Sequence, residues 1–228
     1  MNNIKISKRI VLMMTALSLC AACLFSCSAS DDVNKNDKKE RIEIPGDYPA
    51  KPYIEALANE EYYLDISLLL NGVIIYNTVA RRGDTIESRS NVGGSESHTI
   101  LIDGVTYFID DENEVYFEAD TASDGGLMGA VDYSTAVYAS SGSEVLATGK
   151  EHSYDEYTCK TISGQDCGVK IFTNDSGNLM AIVDYSGDES VERDVAAFSA
   201  DIPEGWLEIP KNYKLVDEDT YFDEYYGR

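Results

Sequence analysis

The clearest pattern in this chain is an alternation of apolar and polar residues with a period of two, which begins after residue 60. In the run YYLDISLLLN every second position is apolar or aromatic, namely Tyr62, Leu64, Ile66, Leu68 and Leu70. Successive side chains of a β-strand point to opposite faces, so this spacing predicts a strand with one apolar face. The Asn71-Gly72 pair that follows is a favoured hairpin turn and predicts a return strand over VIIYNTVAR.

Strand-like segments continue beyond this hairpin, so the first half of the chain predicts an antiparallel meander of about six strands. A second favoured turn pair, Asp103-Gly104, joins two of them. The further segments are DTIESRS, HTILID, VTYFID and EVYFEA.

A second meander is predicted in the last third of the chain, beginning near Glu144. EVLATGKEHSYDEYTCK leads to GVKIFTN, a turn follows at residues 175–178, LMAIVDYS returns, and RDVAAFSADIP is a further extended stretch. Residues 201–210 are then expected to form an ordered closing segment with Trp206 and Leu207 as core anchors.

Helices are expected at few places. Pro52 is tolerated in a first helical turn and opens a short helix over residues 53–59. Residues 119–140 break the strand pattern with glycines and small residues, and they predict short helices, for example over 127–138, or a mobile loop. The acidic, tyrosine-rich tail, 217–228, is expected to be a frayed terminus, with a docking tail as the alternative.

These elements predict a mainly β fold of the α+β type, in which one curved antiparallel sheet carries a few short helices. The domain is expected over residues 45–216, since roughly 170 residues are enough to bury a proper core. A curved sheet needs cover on its concave face, and the glycine-rich region 119–140 is a candidate for that cover.

The first 27 residues resemble the signal peptide of a bacterial lipoprotein. Lys5, Lys8 and Arg9 precede an apolar stretch over residues 10–25. At ~1.5 Å per residue this stretch spans about 24 Å, which is short of the ~30 Å bilayer core and favours a secretory signal over a permanent membrane helix.

The end of this stretch, Leu24-Phe25-Ser26-Cys27, is similar to the lipobox of those proteins at its leucine and its small residue. The resemblance implies a signal peptide over residues 1–26 and acylation of the Cys27 sulfur, with Cys23 as the alternative. Two acyl chains hold a protein to a membrane far more firmly than one. An uncleaved anchor and a plain signal peptide remain alternatives.

A charged segment separates this cysteine from the domain. SASDDVNKNDKKE, residues 28–40, has almost no apolar side chain to bury, so residues 27–44 are expected to be a flexible tether. Thirteen such residues have an r.m.s. span on the order of 20 Å. We therefore expect a protein held by its lipid on the extracytoplasmic side of the cell membrane.

The chain is strongly acidic, with 41 Asp and Glu against 18 Lys and Arg and a formal charge of −23. An acidic surface repels phosphate backbones and anionic headgroups, so nucleic acid is not an expected partner and charge does not attach the domain to a membrane. Solubility is the simplest interpretation of this acidity.

Cys159 and Cys167 are the only cysteines after the signal region, and they flank KTISGQD. A cross-strand pair can meet the Cα separation of about 4.4 to 6.8 Å that a disulfide needs, and an exported protein permits the bond. We predict a structural disulfide, with free thiols as the alternative. The absence of C-x-x-C and of zinc spacing argues against a redox or metal role.

Other candidate chemistry is sparse. The two histidines, His98 and His152, are expected on the surface. GGSES at residues 93–97 lacks the final glycine of a nucleophile elbow, and DDENE at 110–114 lacks the spacing of an EF-hand, which predicts a solvated turn. We expect no catalytic residues, no cofactor and no metal site.

Three segments resemble the second half of the LolA/LppX-like family, the family of outer-membrane lipoprotein carriers. They are TGKEHSYDEYTC, VKIFTNDSGNLMAIVDY and DIPEGWLEIPKNYKLV, and the earlier hairpin ILIDGVTYFIDDENEVYFEA is also similar. The resemblance covers about residues 53–216. It implies a half-open antiparallel β-barrel whose concave face is covered by helices and holds a lipid or lipoprotein in an apolar cavity.

The resemblance predicts a non-enzymatic lipoprotein that binds or carries an apolar ligand, a lipid or acyl chain, in the concave face. One alternative is an envelope structural or interaction protein with a packed core and a protein partner, and a hydrolase is the third. The predicted cavity liners could equally form a packed core. They are Leu64, Ile66, Leu68, Ile100, Ile102, Ile109, Phe117, Ile171 and Ile182.

Overall fold

The computed structural model describes residues 41–119 and 131–227. These residues form one twelve-stranded sheet and two short helices. The helices are α1 (Lys51–Ala58) and α2 (Glu218–Tyr226). The strands are β1 (Glu61–Leu70), β2 (Val73–Arg82), β3 (Thr85–Val92), β4 (Ser95–Ile102), β5 (Val105–Asp110), β6 (Val115–Glu118), β7 (Val131–Val145), β8 (Glu151–Thr161), β9 (Asp166–Thr173), β10 (Leu179–Ser186), β11 (Glu189–Ser199) and β12 (Lys214–Leu215).

The strand order joins the two predicted meanders in the middle of the sheet. It runs β12-β6-β5-β4-β3-β2-β1-β11-β10-β9-β8-β7, so β1 pairs with β11. The neighbours are antiparallel except for β12, which pairs with β6 in parallel. This curved, open, mainly β sheet is the architecture expected of a half-open barrel, and the predicted fold class is confirmed.

The two predicted turn pairs form hairpins because both residues of each pair tolerate positive φ. Asn71 and Gly72 have φ values of 51° and 79°, and Asp103 and Gly104 have values of 52° and 80°. Positive φ at both central residues is typical of the turn whose twist matches antiparallel strands. The six-strand meander β1–β6 is therefore confirmed.

Residues 131–145 form a strand, so the prediction of a short helix over 127–138 is wrong for residues 131–138. The rest of that helix lies outside the described residues. The pairing of β7 with β8 shifts register twice, between Asp132 and Val137 and between Tyr138 and Ser140. Such bulges add unpaired residues and interrupt the side-chain alternation, which is why VDYSTAVYASSGSEV shows no period of two.

The two helices begin and end differently from the expectations. Helix α1 starts at Lys51, two residues earlier than predicted, with Pro52 in its first turn. In place of a frayed terminus the tail forms α2, whose first turn is capped by the Asp217 side chain, which accepts a hydrogen bond from the Thr220 amide at 2.8 Å.

Three clusters of buried apolar residues stabilise the sheet. The α1 cluster is the largest and packs helix α1 onto strands from both meanders; its members include Ile54, Leu57, Leu64, Ile66, Val79, Ile86, Val169, Ile171 and Ile182. The α2 cluster consists of Val115, Phe117, Val216 and Tyr221, with Phe108 partly buried against it. The third cluster is formed by Leu146, Phe172 and Ala181.

Candidate functional site

The register of the strands identifies the two faces of the sheet, because residues directly opposite each other share a face. One row crosses six strands and consists of Leu64, Val79, Ser88, Thr99, Phe108 and Phe117. Its first two members belong to the α1 cluster and its last two to the α2 cluster. Both helices therefore pack on the face that carries this row, which we call the inner face.

Six of the nine predicted liners lie on the inner face, and three do not. Leu64, Ile66, Leu68, Phe117, Ile171 and Ile182 are inner residues. Ile100 lies opposite Glu87 and Tyr107, and Ile109 lies opposite His98 and Tyr116. These pairs alternate with the inner row, so Ile100, Ile102 and Ile109 point to the outer face and do not line the inner one.

The inner liners are largely packed against the helices. Leu64, Ile171 and Ile182 are fully buried in the α1 cluster, and Phe117 stacks on Tyr221 of helix α2 with ring centroids 4.6 Å apart. These four side chains are covered by other described residues and are not open to the surface. These contacts are those of a packed core, which was the alternative to a ligand-lining role.

Between the two helix clusters the inner face carries four small hydroxyl side chains, which we call the hydroxyl strip. It consists of Ser88, Ser90, Ser97 and Thr99 on β3 and β4, and all four are half-buried. The Ser90 and Ser97 hydroxyl oxygens are 2.6 Å apart, and Ser88 donates to the buried Asn77 side chain at 2.9 Å.

Apolar side chains flank this strip on both sides. Ile86 and Leu101 adjoin the α1 cluster, and Phe108 adjoins the α2 cluster. The main helix contacts are with β1 and β7 for α1 and with β6 for α2. Across the sheet, Val79 and Phe108 are the apolar neighbours of the Ser88–Thr99 half of the strip, whereas the buried Asn77 side chain adjoins Ser90. The sequence signal for the strip was present in SRSN and SESHT, where polar residues occupy both faces of two strands.

The predicted cysteine pair lies on the inner face at the other end of the sheet. Cys159 and Cys167 stand directly opposite each other on β8 and β9, with Cys159 buried and Cys167 half-buried. Burial raises the pKa of the Cys159 thiol to about 12. At neutral pH this sulfur is a thiol and not a thiolate, which makes it a weak nucleophile. The disulfide stays a prediction.

A buried ion pair lies near these thiols. Arg193 donates to the Asp184 carboxylate at 2.5 Å, and Tyr133 donates to the same group at 3.4 Å. Burial raises the pKa of Asp184 in spite of the guanidinium beside it. The three side chains link β7, β10 and β11 inside the sheet.

The outer face of β3 and β4 carries a charged cluster that sequence patterns did not predict, in which Glu87 and His98 are buried and Arg89 and Asp111 are exposed. His98 was expected on the surface, but it is buried, and its two ring nitrogens lie 2.9 Å from Glu87 Oε1 and 2.9 Å from Asp111 Oδ2. Arg89 donates to the same Glu87 oxygen at 2.7 Å. Each ring nitrogen of His98 thus faces one carboxylate oxygen, and the two contacts hold the imidazole between β3 and the turn after β5.

The closing segment covers this cluster. The Leu207 amide donates to Glu87 Oε2 at 2.6 Å, and Trp206 packs edge-on against Tyr63 and under the Arg89 guanidinium. Although burial raises the pKa of Glu87, its hydrogen bonds from His98, Arg89 and the Leu207 amide outweigh that effect and the pKa is lowered. Trp206 and Leu207 are half-buried and act as anchors on the outer face.

The acidic turn after β5 is tied to the fold. Asp110 accepts hydrogen bonds from the amides of Glu112 and Asn113 and from the Tyr221 hydroxyl. These hydrogen bonds tie the Asp110 carboxylate to its own turn and to helix α2. Across residues 41–119 and 131–227 there is no group of three or more His, Cys, Asp or Glu side chains that could hold a metal ion.

Surface depressions lie at the β7 end of the sheet in the described part of the chain. Two adjoining ones, of about 410 and 490 Å³, share Ser143, Ser153 and Thr173 at the ends of β7, β8 and β9. The first is lined mainly by polar atoms, and the second by polar and apolar atoms in similar measure. None of the helices in the described residues is long and apolar enough to cross a membrane.

Comparisons with known proteins find solved structures of similar outline. No family model matches the chain, and no curated protein matches its sequence. A solved structure of an uncharacterized conserved protein from Thermus thermophilus is 11% identical, with a TM-score of 0.41 over 73% of this chain and 96% of that one.

Two further solved structures match similar shares of the chain. LprF from Mycobacterium bovis is 12% identical, with a TM-score of 0.38 over 70% of this chain and 93% of that one. A putative outer membrane lipoprotein-sorting protein domain from Vibrio parahaemolyticus is 9% identical, with a TM-score of 0.25 over 76% of this chain and 96% of that one. Likeness at this level concerns the outline of the fold and assigns no activity.

Proposed function

We propose that this chain is a lipid-anchored extracytoplasmic lipoprotein whose β domain binds an amphipathic lipid on the inner face, at the hydroxyl strip. The observation that carries the proposal is the position of the strip. Four half-buried hydroxyl side chains lie in the space between two helix clusters, with apolar side chains on either side.

Such a surface suits a ligand that has both an apolar and a hydrogen-bonding part. The hydrocarbon part would contact Leu101 on one side and Phe108 on the other. The polar part would take hydrogen bonds from Ser97 and Thr99, since a polar group that leaves water needs a new partner. Ligand sites commonly combine apolar walls with a few polar groups that fix orientation.

The anchor is proposed at Cys27, with Cys23 as the alternative. The support is the lipobox-like Leu24 and Ser26 and the charged segment 28–40 behind the cysteine. Full-length chain expressed with labelled palmitate should incorporate label, and the Cys27→Ala variant should not. Label retained in Cys27→Ala and lost in Cys23→Ala would move the anchor to Cys23.

We propose binding and not catalysis for the domain. The thiol of Cys159 has its pKa raised by burial, and both nitrogens of His98 face carboxylates. These are the residues that would otherwise be the first candidates for a nucleophile or a base.

Ligand binding is tested with cis-parinaric acid, a fluorescent acyl chain, added to the full-length protein in detergent. The Thr99→Trp variant fills the strip and should lower the binding constant by about tenfold, since a bulky ring then occupies the ligand's place. The matched control is Thr158→Trp, at an exposed threonine on the outer face of β8, which should bind as the parent does.

Two results would contradict the proposed ligand site. One is the absence of probe binding by the parent chain, together with no lipid recovered from the purified protein by mass spectrometry. The other is an equal effect of both tryptophan substitutions. The first result would favour the envelope interaction protein with a packed core.

A further inference from the structure

The β1–β2 hairpin ends in a group of exposed apolar side chains, which we call the hairpin tip. Leu69 is 70% exposed, Ile74 is 50% exposed, and Leu70 and Val73 are also exposed. Tyr76, one alternation further along β2, is 55% exposed. Single exposed apolar residues are ordinary on a protein surface, but a contiguous group marks an interaction site.

The apolar side chains surround the tip instead of forming one flat patch. Leu69 lies opposite Ile74 on one face of the hairpin, and Leu70 lies opposite Val73 on the other. A protein partner that docks on one face would leave the other pair in water. A fluid hydrocarbon phase buries both pairs at once, so this distribution favours a lipid bilayer.

Charge supports the same occupant. Residues 66–80 contain no Asp, Glu, Lys, Arg or His, although 26% of the chain is charged. The neighbouring strand β11 carries Glu189, Glu192 and Asp194. A second copy of this chain, with a net charge of −23, would be repelled, and anionic headgroups would be repelled by β11. The surface of a zwitterionic bilayer carries no net charge, so neither repulsion applies to it.

We propose that the hairpin tip inserts into the headgroup–acyl boundary of a zwitterionic bilayer. Two residues on each side of the turn, at ~3.3 Å per residue, reach about 7 Å, which is within the ~5–10 Å depth of interfacial insertion. Tyr76 then lies at the headgroup level, where tyrosine is enriched. The ladder pairs β1 with β2 up to Leu70 and Val73, so the backbone groups that face each other across the hairpin have partners inside the tip.

The tether can reach the same membrane. The Ile42 amide donates to Asn59 at 2.7 Å, which holds the entry of the domain near the start of β1. The ten residues of β1 place the tip about 33 Å away. Residues 28–41 can extend to roughly 48 Å, so Cys27 and the tip can contact one bilayer together. The inference rests on the membrane location in the proposed function, but not on the ligand.

Brominated-lipid quenching of tryptophan tests the insertion directly. Full-length chain is reconstituted in phosphatidylcholine vesicles with and without bromine on the acyl chains. Ile74→Trp puts a reporter at the tip, and the parent chain with its native Trp206 provides the baseline. The bromines should lower the emission of the added tryptophan about twofold or more, because it lies at acyl depth. Leu215→Trp, at an exposed leucine of β12, is the matched control and should match the baseline.

Two results would overturn the proposal. In one, the emission of Ile74→Trp is lowered no more than that of the parent chain. This is also the result expected if the tip binds a protein and not a bilayer. In the other, Leu215→Trp is quenched equally, which means general adsorption. Circular dichroism of both variants must match the parent, and Leu69→Trp replaces Ile74→Trp if it does not. The palmitate experiment reports on the anchor alone, so a failed anchor and a failed tip are distinguishable.

Discussion

On strands β3 and β4, the polar residues of the two faces of the sheet differ in charge, in pairing and in how far they are covered. On the outer face Glu87, Arg89 and His98 form a charged cluster that is closed over by the segment containing Trp206 and Leu207. On the inner face the hydroxyl strip is neutral, half-buried and without a covering helix among the described residues. Polar groups that are fully paired and buried hold a fold together, whereas half-buried neutral groups remain available to a ligand.

The largest effect should come from breaking the outer cluster. Glu87→Gln should lower the free energy of unfolding by about 3 kcal/mol, because it removes a buried carboxylate and leaves Arg89 and His98 without its charge. Chemical denaturation monitored by circular dichroism measures this. Glu96→Gln, an exposed residue on the same face of β4, is the control and should change stability by less than about 0.5 kcal/mol.

The same variant should also change the pH dependence. The pKa of Glu87 in the folded state is below its ordinary value of 4.5. Its ionised form therefore stabilises the fold above that value, and this contribution is lost as the pH falls through the lowered pKa. The stability difference between the parent and Glu87→Gln should shrink below pH 4.5. A difference that is constant with pH would contradict the ionised cluster.

The next effect concerns the inner face at β8 and β9. If Cys159 and Cys167 are joined in the exported protein, reduction should lower the free energy of unfolding by about 2 to 3 kcal/mol, and alanine at both positions should abolish the response to reductant. Trypsin cleaves after Lys160, so the peptides 151–160 and 161–170 should appear linked without reductant. Separate peptides would show that the thiols stay free.

A smaller effect should follow from loosening helix α2. Tyr221→Phe removes the hydroxyl that donates to Asp110 at 2.9 Å and should cost about 1 kcal/mol in thermal or chemical denaturation. Tyr225→Phe is the control on the same helix, because the Tyr225 hydroxyl makes no hydrogen bond to the described residues. Equal stability of the parent and Tyr221→Phe would mean that α2 is held by ring packing alone.

The smallest effect on stability is expected at the hydroxyl strip. Replacing both Ser90 and Ser97 by alanine removes a hydrogen bond between half-buried hydroxyls, and stability should change by less than about 0.5 kcal/mol. The affinity for cis-parinaric acid should nevertheless fall. A stability loss of more than about 1 kcal/mol, the usual worth of a well-made hydrogen bond, would remove the contrast between the two faces.

The first meander could be predicted from local signals alone. The alternation in YYLDISLLLN and the turn pairs at Asn71 and Asp103 depend on neighbouring residues, and each was confirmed. Strand β7 was missed because its bulges remove the alternation. Helix α2 was not predicted because the tail is acidic and no local pattern marks Tyr221 as a core residue. Tyr221 is buried by its packing on Phe117 and Val216 in the α2 cluster.

At the candidate site, too, local sequence predicted some features and long-range packing decided the others. The predicted liners were chosen as apolar strand positions, but both faces of β4 and β5 are partly buried, so periodicity could not say which face was inner. His98 was predicted at the surface because a polar histidine ordinarily lies there. Its burial depends on Glu87, Asp111 and the closing segment, which meet only in the folded chain.

The sequence by itself determined the mainly β architecture, the hairpin turns, the acidity and the signal-like N-terminus, because each depends on residue type and short-range spacing. The tertiary structure decided which side of each strand faces the helices, where the charged cluster closes, and that the hydroxyl strip lies between two apolar clusters. Those features arise from register and from long-range packing, such as that of Glu87 with Leu207, 120 residues away. The period-two pattern is the same whichever face is turned inward.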